Sequence, residues 1–263
     1  MPNRPKPNRA PASFHEAIVV AATQMTPHMV RITFSSDLAS GFSPKTAGGY
    51  VKLIVPEPGK STPPSVELGN FKKFMRTYTI RHVRASMGEF DVDFVAHGDV
   101  GLAAPWAAQA KAGDKVLLSG PGPLKFDATG ADRVLLAADM SAIPAAAAIL
   151  EALDPAAVGN AYFEIFSEDD RQSIRSPSGV AVHWIVKSDA HLPSVTMIAA
   201  VTSATKKSRY QGIFVAGEFS FVAELRAHLR SENLITKRRT YISSYWKLGL
   251  IEPEHKAEKA RVA

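Results

Sequence analysis

A short segment at residues 76–81, R-T-Y-T-I-R, places cations, an aromatic ring and threonine hydroxyls side by side. On a β-strand, residues i and i+2 share a face, so Arg76 and Tyr78 point to one side. Thr77 and Thr79 point to the other side. Arginine pairs with phosphate, a tyrosine ring stacks on a flat ring system, and a threonine hydroxyl reaches a ring nitrogen. The segment suits a flat ligand that carries phosphate, although an amphipathic edge strand shows the same pattern.

A second segment, D-F-V-A-H-G-D-V-G-L-A-A-P-W at residues 93–106, passes from a strand pattern through a glycine-bearing loop to a helix start. Gly98 and Gly101 allow a ligand to approach the backbone closely, and amides at a helix start attract anions. This arrangement suits a pyrophosphate, although an ordinary strand-to-helix turn has the same form. The two segments in this order indicate a site for a phosphate-bearing ligand more strongly than either does alone.

The elements that must position these segments are short strands in the first half of the chain. Residues 56–73 contain four prolines and predict a long loop, and an Ala-rich helix is expected between Gly101 and Lys111. Six short strands with turn signals and one helix predict a closed or nearly closed antiparallel barrel. The strands are expected at residues 17–24, 29–34, 50–55, 75–81, 89–95 and 115–119.

The second half alternates apolar strands with helical patterns, which predicts an α/β fold with a largely parallel sheet. We expect Ser141 to cap the first helix. Residues 195–202 are compatible with either a strand or a helix. The strands are expected at residues 133–137, 161–166, 182–187 and 212–216, and the helices at 141–153 and 218–230. The predicted organisation is a disordered tail at 1–13, a β-barrel domain at 14–126, and an α/β domain at 127–263 with a C-terminal helical extension.

The composition of the 263-residue chain excludes several kinds of chemistry. It has no cysteine, which excludes thiol catalysis and iron–sulfur clusters, and its eight histidines form no i, i+3 or i, i+4 pair for a metal. Asp139 and Pro144 interrupt the most apolar run, and no apolar segment follows the basic N-terminus, so we expect a cytoplasmic protein outside the membrane. The net charge of +6 favours an anionic partner. Its dispersed basic residues and lack of a nucleic-acid motif argue against nucleic acid.

Familiar catalytic fingerprints such as Walker A, G-x-S-x-G and H-E-x-x-H are absent from the sequence. Six segments instead resemble, in order, the siderophore-interacting proteins, which are flavin-containing ferric-siderophore reductases of the ferredoxin-reductase-like superfamily. The resemblance implies a flavin-binding barrel followed by a pyridine-nucleotide-type domain, in agreement with the organisation above. Besides the segments at 76–81 and 93–106, they are G-D-K-V-L-L-S-G-P-G at 113–122, L-L-A-A-D-M-S-A-I-P-A at 135–145, V-A-G-E at 215–218 and Y-I-S-S-Y-W-K-L-G at 241–249.

The resemblance implies FAD as the cofactor, because a pyrophosphate turn is present. Ala104 stands where the family usually has a hydroxyl, so one phosphate hydrogen bond should be missing or supplied by backbone amides. The implied flavin contacts are Arg76, Thr77, Tyr78 and Thr79; the dinucleotide contacts are Asp93, Val95 and His97; and the pyrophosphate turn is Gly101, Ala103 and Ala104.

In the second half, the resemblance places Asp139 and Ser141 on a nucleotide-facing turn and Glu218 beside the nicotinamide. Helix capping explains Asp139 and Glu218 equally well. Acidic residues at 168–170 would repel a 2′-phosphate and favour NADH over NADPH, whereas basic residues at 206–209 favour NADPH.

The end of the chain bears on the electron donor. Tyr245, Trp246 and Lys247 precede a helix pattern with Pro253 near its start, acidic residues early and Lys259 late. Such an extension could cover the flavin with Tyr245 and Trp246, restrict a nicotinamide and leave a ferredoxin as the donor. A helix that merely docks on the surface is the alternative.

The resemblance implies electron transfer through the flavin to a ferric siderophore, so no residue needs to act as acid, base or nucleophile. Lys52, Lys125 and Lys247 each lie beside a flavin-proximal motif, and we predict that they hold the anionic ferric chelate. The predicted function is a monomeric, FAD-dependent ferric-siderophore reductase that receives electrons from NADH, NADPH or a ferredoxin. The alternatives are a ferredoxin or flavodoxin reductase, a general ferric-chelate or flavin reductase, and a non-catalytic basic binding module.

Overall fold

The computed structural model describes residues 13–57, 60, 62–66, 71–96, 101–236 and 238–261. Of the predicted N-terminal tail, only Ser13 falls within these ranges. The described chain forms two sheets, here called the first and the second sheet, one in each half of the chain. Within these ranges, no helix is long and apolar enough to cross a membrane.

The first sheet is antiparallel and has seven strands. They are β1 (His15–Thr26), β2 (Met29–Ser35), β3 (Tyr50–Ile54), β4 (Met75–Thr79), β5 (His82–Arg84), β6 (Glu89–Val95) and β7 (Lys115–Gly122), with helix α1 (Ala103–Gln109) before the last. Their order is β4-β3-β7-β1-β2-β6-β5. Short 3-10 helices lie at Asp37–Gly41, Pro44–Thr46, Phe71–Phe74 and Ala85–Met87. Strand β5 is additional to the sequence prediction, because a run of three residues carries no readable alternation.

The two outer strands of the first sheet follow each other in the chain, separated only by Ile80 and Arg81. Ile80 exchanges backbone hydrogen bonds with Gly48 and Gly49, and the Arg81 amide donates to the Asp91 carbonyl on β6 at 2.8 Å. The sheet therefore curls until its edges meet at these two residues. This confirms the predicted antiparallel architecture, while no strand ladder joins β4 to β5 in the described part of the chain.

The interior of the curled sheet is filled because β2 and β6 alternate in register. Phe90, Val92 and Phe94 are buried against the apolar residues of β2 that face them. The intervening residues point outward, which places Arg31 opposite Asp93. One face of these strands thus supplies core, and the other supplies polar contacts.

The second sheet is parallel and has five strands. They are β8 (Arg133–Ala138), β9 (Val158–Ile165), β10 (Gly179–Val186), β11 (Gly212–Glu218) and β12 (Thr240–Trp246), in the order β10-β9-β8-β11-β12. The helices are α2 (Ile143–Ala152), α3 (Val195–Lys207), α4 (Phe219–Ser231) and α5 (Glu252–Arg261), and a 3-10 helix lies at Glu168–Asp170. The ambiguous residues 195–202 therefore belong to a helix, and β12 is additional to the prediction.

Both faces of the second sheet are covered. Val134 and Leu136 pack into the core beside α2, whereas Leu135 and Ala137 pack into the core beside α3 and α4. A strand buried on both faces needs a continuous apolar run, and this is the pattern from which the parallel sheet was predicted.

Two buried polar contacts join the sheets. The Asp170 carboxylate accepts hydrogen bonds from the Thr26 hydroxyl at 2.8 Å and the His28 amide at 3.0 Å, in the turn between β1 and β2. The Arg81 guanidinium donates to both carboxylate oxygens of Glu151 on α2, at 2.8 and 2.6 Å. These contacts fix how the first sheet faces the second.

Candidate functional site

Strand β4 carries the R-T-Y-T segment at the edge of the first sheet. The Arg76 guanidinium donates to two backbone carbonyls, at 2.7 and 3.1 Å, and has no carboxylate partner in the described part of the chain. The centroid of the Tyr78 ring lies 4.2 Å from that of Phe94. Burial and the nearby Glu252 carboxylate raise the pKa of the Tyr78 hydroxyl, so this side chain stays neutral. The strand therefore offers an anchored aromatic ring and a cation that pairs with no carboxylate of the described residues.

Asp93 and Val95 lie on the same strand, β6, but one forms an ion pair and the other packs into a hydrophobic core. Both Asp93 oxygens accept hydrogen bonds from the Arg31 guanidinium, at 2.6 and 2.8 Å, and Asp93 is 5% exposed. Val95 packs against the core of the second sheet. The contact of Asp93 with a dinucleotide stays a prediction, since its carboxylate is occupied by an ion pair. His97, predicted on the same segment, lies outside the described residues.

The predicted pyrophosphate turn stands at the start of α1. Gly101 has a φ of +91°, and no described atom lies within 4 Å of the position that a Cβ would take. No side chain of the described chain caps the first amides of α1, which follow Leu102. Among the described residues, the amides of Ala103 and Ala104 therefore have no capping side chain as an acceptor.

These residues fit the flavin dinucleotide that the resemblance implies. Two kinds of donor here are suited to phosphate. One is a guanidinium that has no carboxylate partner among the described residues, and the other is the pair of backbone amides at the start of α1. No described atom fills the position of a Cβ at Gly101, which allows close approach of a ligand, and Tyr78 supplies a ring for stacking.

Asp139 organises the turn after β8. Its carboxylate accepts hydrogen bonds from the Glu218 amide at 2.8 Å and from Trp246 Nε1 at 2.7 Å. It also accepts from the Ser141 amide and hydroxyl, at 3.0 and 2.6 Å. The prediction that Ser141 caps α2 is wrong: its hydroxyl is turned toward Asp139, and the helix begins at Ile143 without a side-chain cap hydrogen bond.

Three carboxylates, those of Asp139, Glu164 and Glu218, are buried at the carboxyl ends of neighbouring strands of the second sheet. Lys187 pairs with Glu164 at 2.9 Å, whereas the other two have no cationic partner among the described residues. Burial raises the pKa of Asp139, against the hydrogen bonds that it accepts, and the Glu164 charge adds to the increase. Glu218 caps α4 through the Ser220 amide, so the capping interpretation of Glu218 is confirmed.

The predicted flavin cover is held by the second sheet. Tyr245 packs against the core beside α2, and burial together with Tyr241 raises the pKa of its hydroxyl. Trp246 is fixed by its bond to Asp139. Their role over the flavin stays a prediction.

Helix α5 connects the first sheet with the second. Glu252, at its start, accepts hydrogen bonds from the Thr77 amide and hydroxyl at 3.3 and 3.0 Å. Lys259, near its end, donates to the Ser243 hydroxyl and the Ser244 carbonyl on β12, at 2.5 and 2.9 Å. The helix therefore contacts the strand that carries the R-T-Y-T segment.

The three predicted substrate lysines have different neighbours. Lys52 and Tyr50 share one face of β3, and the Lys125 ammonium lies 5.4 Å from the centroid of the Tyr50 ring, so both lysines lie on the Tyr50 side of this strand. Lys247 instead pairs with Glu258 of α5 at 2.9 Å. No group of His, Asp or Glu that could hold a metal occurs among the described residues.

The acidic run at residues 168–170 is less exposed than its sequence suggests. Of the acidic residues 168–170, Asp170 is turned into the junction between the sheets, because Thr26 and His28 donate to it. Glu168 and Asp169 are exposed, but Glu168 pairs with Arg171, so among these three described residues Asp169 is the carboxylate left to repel a 2′-phosphate.

The sequence did not predict a role for Glu258, and it predicted Glu252 and Lys259 only as charges suited to the ends of a helix. The i, i+3, i+7 spacing of Glu252, His255 and Lys259 places them on one helix face and was the signal for a docking surface. A second sequence signal of a functional position was Glu164, because it is a carboxylate inside the apolar run of β9.

Comparison with known proteins agrees with this architecture. Residues 18–124 match the siderophore-interacting FAD-binding domain, and residues 131–249 match the siderophore-interacting protein family. The chain is 34% identical to an uncharacterized protein of Mycobacterium tuberculosis over 95% of both. It is 29% identical to the ferric vibriobactin reductase ViuB of Vibrio cholerae, over 88% of this chain and 89% of that protein.

The crystal structure of the siderophore-interacting protein SipS from Aeromonas hydrophila has a TM-score of 0.82 and 27% identity, covering 95% of this chain and 98% of that chain. The matched segments contain both the R-T-Y-T strand and the turn at Asp139. The chain therefore belongs to the siderophore-interacting protein family and is a flavin-dependent oxidoreductase with that family's FAD-binding domain in its first half.

Proposed function

We propose that the protein is a ferric-siderophore reductase that passes electrons from NAD(P)H or a ferredoxin through FAD to Fe(III) in an anionic chelate and releases Fe(II). The observation that carries the proposal is the presence of two cations on the Tyr50 side of β3: Lys52 on the strand itself, next to β4, and Lys125 over the Tyr50 ring. Lys52 stands opposite Thr77 in the β3–β4 register, so its ammonium belongs to the surface beside the flavin segment. The similarity to a ferric vibriobactin reductase supports the same class of substrate.

When bound, FAD would take electrons from the donor and deliver them singly to ferric iron. The residues of the chain hold and orient the reactants. Arg76 and the amides of Ala103 and Ala104 would bind the phosphates, and Tyr78 would stack on the ring system. Residues 14–126 would form the FAD-binding domain, and residues 127–263 would form the domain on the donor side.

The test of the substrate site is a triple variant that removes the predicted lysines. We expect KM for an anionic ferric siderophore to rise about tenfold, from three partly exposed charge contacts of about 0.5 kcal/mol each. The FAD content should stay unchanged. Unchanged kinetics would reject the assignment. The variant is Lys52→Ala, Lys125→Ala, Lys247→Ala, and its control is Lys45→Ala, Lys60→Ala, Lys111→Ala, all three exposed.

A ferredoxin is the donor that two observations favour over NADH. The crevice at the carboxyl ends of the second sheet, where dinucleotides bind in open α/β sheets, carries Asp139 and Glu218 without a cationic partner among the described residues, which is unfavourable for a pyrophosphate. Helix α5 also extends from β12 to β4, across the approach to the R-T-Y-T strand.

The donor is tested by mixing the FAD-loaded protein anaerobically with NADH, NADPH or a reduced ferredoxin. We expect rapid flavin bleaching with the ferredoxin and slow bleaching with either nucleotide. Rapid reduction by NADH alone would overturn the preference for ferredoxin and leave the reductase proposal standing.

A further inference from the structure

The ammonium group of Lys247 already has a partner. Its Nζ lies 2.9 Å from Oε1 of Glu258 on α5 and 4.5 Å from the centroid of the Phe219 ring. The Lys247 and Glu258 side chains are 27% and 19% exposed, so the pair remains open to solvent on one side. The hydrogen bond from Lys247 lowers the pKa of Glu258, and this carboxylate stays charged at neutral pH.

Helix α5 is attached to the rest of the protein through polar groups. Its sequence, E-P-E-H-K-A-E-K-A-R, contains no apolar side chain larger than alanine apart from one proline. Charge pairs that stay partly exposed contribute little to stability and weaken in salt, whereas a buried apolar face would hold the helix firmly. Its anchoring residues are Glu252, His255, Glu258 and Lys259, which contact Thr77, Ser244, Lys247 and Ser243.

Cations lie near Lys259, the residue that follows Glu258 on α5. Burial and the neighbouring Arg226 and Lys125 lower the pKa of Lys259 to about 8. Lys125, Arg226 and Lys259 have no carboxylate partner in the described part of the chain. Arg261 lies 3.0 Å from the second oxygen of Glu258. Glu258 thus has two cationic partners, Lys247 and Arg261.

The pair also lies within reach of the flavin segment. Glu252, which binds Thr77, and Glu258 are six residues apart on one helix, and this spacing corresponds to an axial rise of about 9 Å. A siderophore-sized ligand bound beside Thr77 would extend far enough to meet the Lys247 ammonium.

We propose that Glu258 is an internal counter-anion of the chelate site: it occupies Lys247 in the free protein, and an anionic ferric chelate must displace it. This inference rests on the proposed function, which assigns Lys247 to the substrate site. Glu258 then selects substrates by charge, because a chelate with several negative charges competes with one carboxylate and a neutral chelate does not.

The test measures binding without reduction. Gallium(III) replaces Fe(III), since it forms chelates of the same charge but cannot be reduced in the protein. The FAD-loaded protein is titrated calorimetrically with a trianionic gallium tris-catecholate and with a neutral gallium tris-hydroxamate. The variants are Glu258→Gln, the matched control Glu254→Gln on the same helix, Lys247→Gln, and the double variant of Lys247 and Glu258.

We expect Glu258→Gln to lower Kd for the tris-catecholate about threefold, the factor that corresponds to a partly exposed ion pair, and to leave Kd for the tris-hydroxamate unchanged. The gain should shrink as salt is raised and vanish in the Lys247→Gln background. Equal Kd values for Glu258→Gln and wild type would overturn the inference. An equal gain in Glu254→Gln, or a gain that persists without Lys247, would also overturn it.

This design distinguishes a failure of the reductase proposal from a failure of the counter-anion proposal. If Glu258→Gln strengthens binding of the gallium chelate but the iron chelate is never reduced, the reductase proposal fails and the counter-anion stands. If the iron chelate is reduced and Kd does not depend on Glu258, only the counter-anion fails.

Discussion

Replacement of Asp170 should lower the free energy of unfolding, because this residue holds the junction between the two sheets. Its side chain is 0% exposed and accepts from the Thr26 hydroxyl and the His28 amide on one oxygen, at 2.8 and 3.0 Å. The other oxygen accepts from His28 Nδ1 and the Ser167 amide, at 2.8 and 3.0 Å. In Asp170→Ala the His28 ring turns to water, but three donors lose their acceptor, and we expect a loss of about 3 to 5 kcal/mol in the free energy of unfolding.

Asp170→Asn keeps one acceptor oxygen, so we expect a loss of about 1 to 2 kcal/mol. Burial raises the pKa of Asp170, but the hydrogen bonds from Thr26 and His28 outweigh it and the pKa is lowered. A lowered carboxyl pKa contributes stability above the unfolded value of about 4, and this contribution is lost as the pH falls below it. The difference between wild type and Asp170→Asn should therefore shrink below about pH 4.

The assay is urea unfolding of the FAD-loaded protein at a fixed FAD concentration, because bound cofactor adds to apparent stability. Asp169→Asn is the matched control, since Asp169 is the exposed neighbour. A loss below about 1 kcal/mol for Asp170→Ala, or a loss equal to that of the control, would refute the junction argument.

Three further outcomes are expected. Gly217→Ala should lower the free energy of unfolding in urea by about 2 kcal/mol or more, because φ is +143° and the new Cβ would lie 2.4 Å from the Asp139 carboxyl carbon. An unchanged free energy of unfolding would contradict this close approach. Arg76→Ala should weaken FAD binding about tenfold in a fluorescence titration, through loss of one charge-assisted phosphate contact, and an unchanged Kd would exclude that contact. Because Lys259 has a pKa lowered to about 8, the folded protein releases its proton before the unfolded chain does, so docking of α5 should strengthen between about pH 8 and 10.5. Protection of α5 from hydrogen exchange or limited proteolysis measures this, and Lys259→Met should abolish the pH dependence.

The architecture was predictable where burial imposes a simple period. The alternation of Phe90, Val92 and Phe94 predicted β6, and the continuous apolar run beside Val134 predicted β8. Residues 195–202 were ambiguous, because a short apolar run rich in β-branched residues has no alternation, and their helical state is set by packing against α4.

The candidate site was predictable as sequence segments but not as contacts. The R-T-Y-T segment and the turn at Asp139 were found from local residue types. The Thr77–Glu252 contact joins residues 175 positions apart, and Thr26–Asp170 joins residues 144 apart. A local sequence pattern cannot predict contacts between residues that are so far apart in the chain. Ser141 was misassigned for a related reason, since a carboxylate two residues earlier competes for its hydroxyl.

The most direct test of the account is reoxidation of the reduced flavin by a ferric siderophore. The FAD-loaded protein is photoreduced anaerobically and mixed in a stopped-flow instrument with a ferric tris-catecholate or tris-hydroxamate, with a ferrous-specific chelator present. A ferric-siderophore reductase should show flavin reoxidation together with the appearance of trapped Fe(II), and no reoxidation by the gallium(III) forms. A flavin that stays reduced in the presence of both ferric siderophores would contradict it.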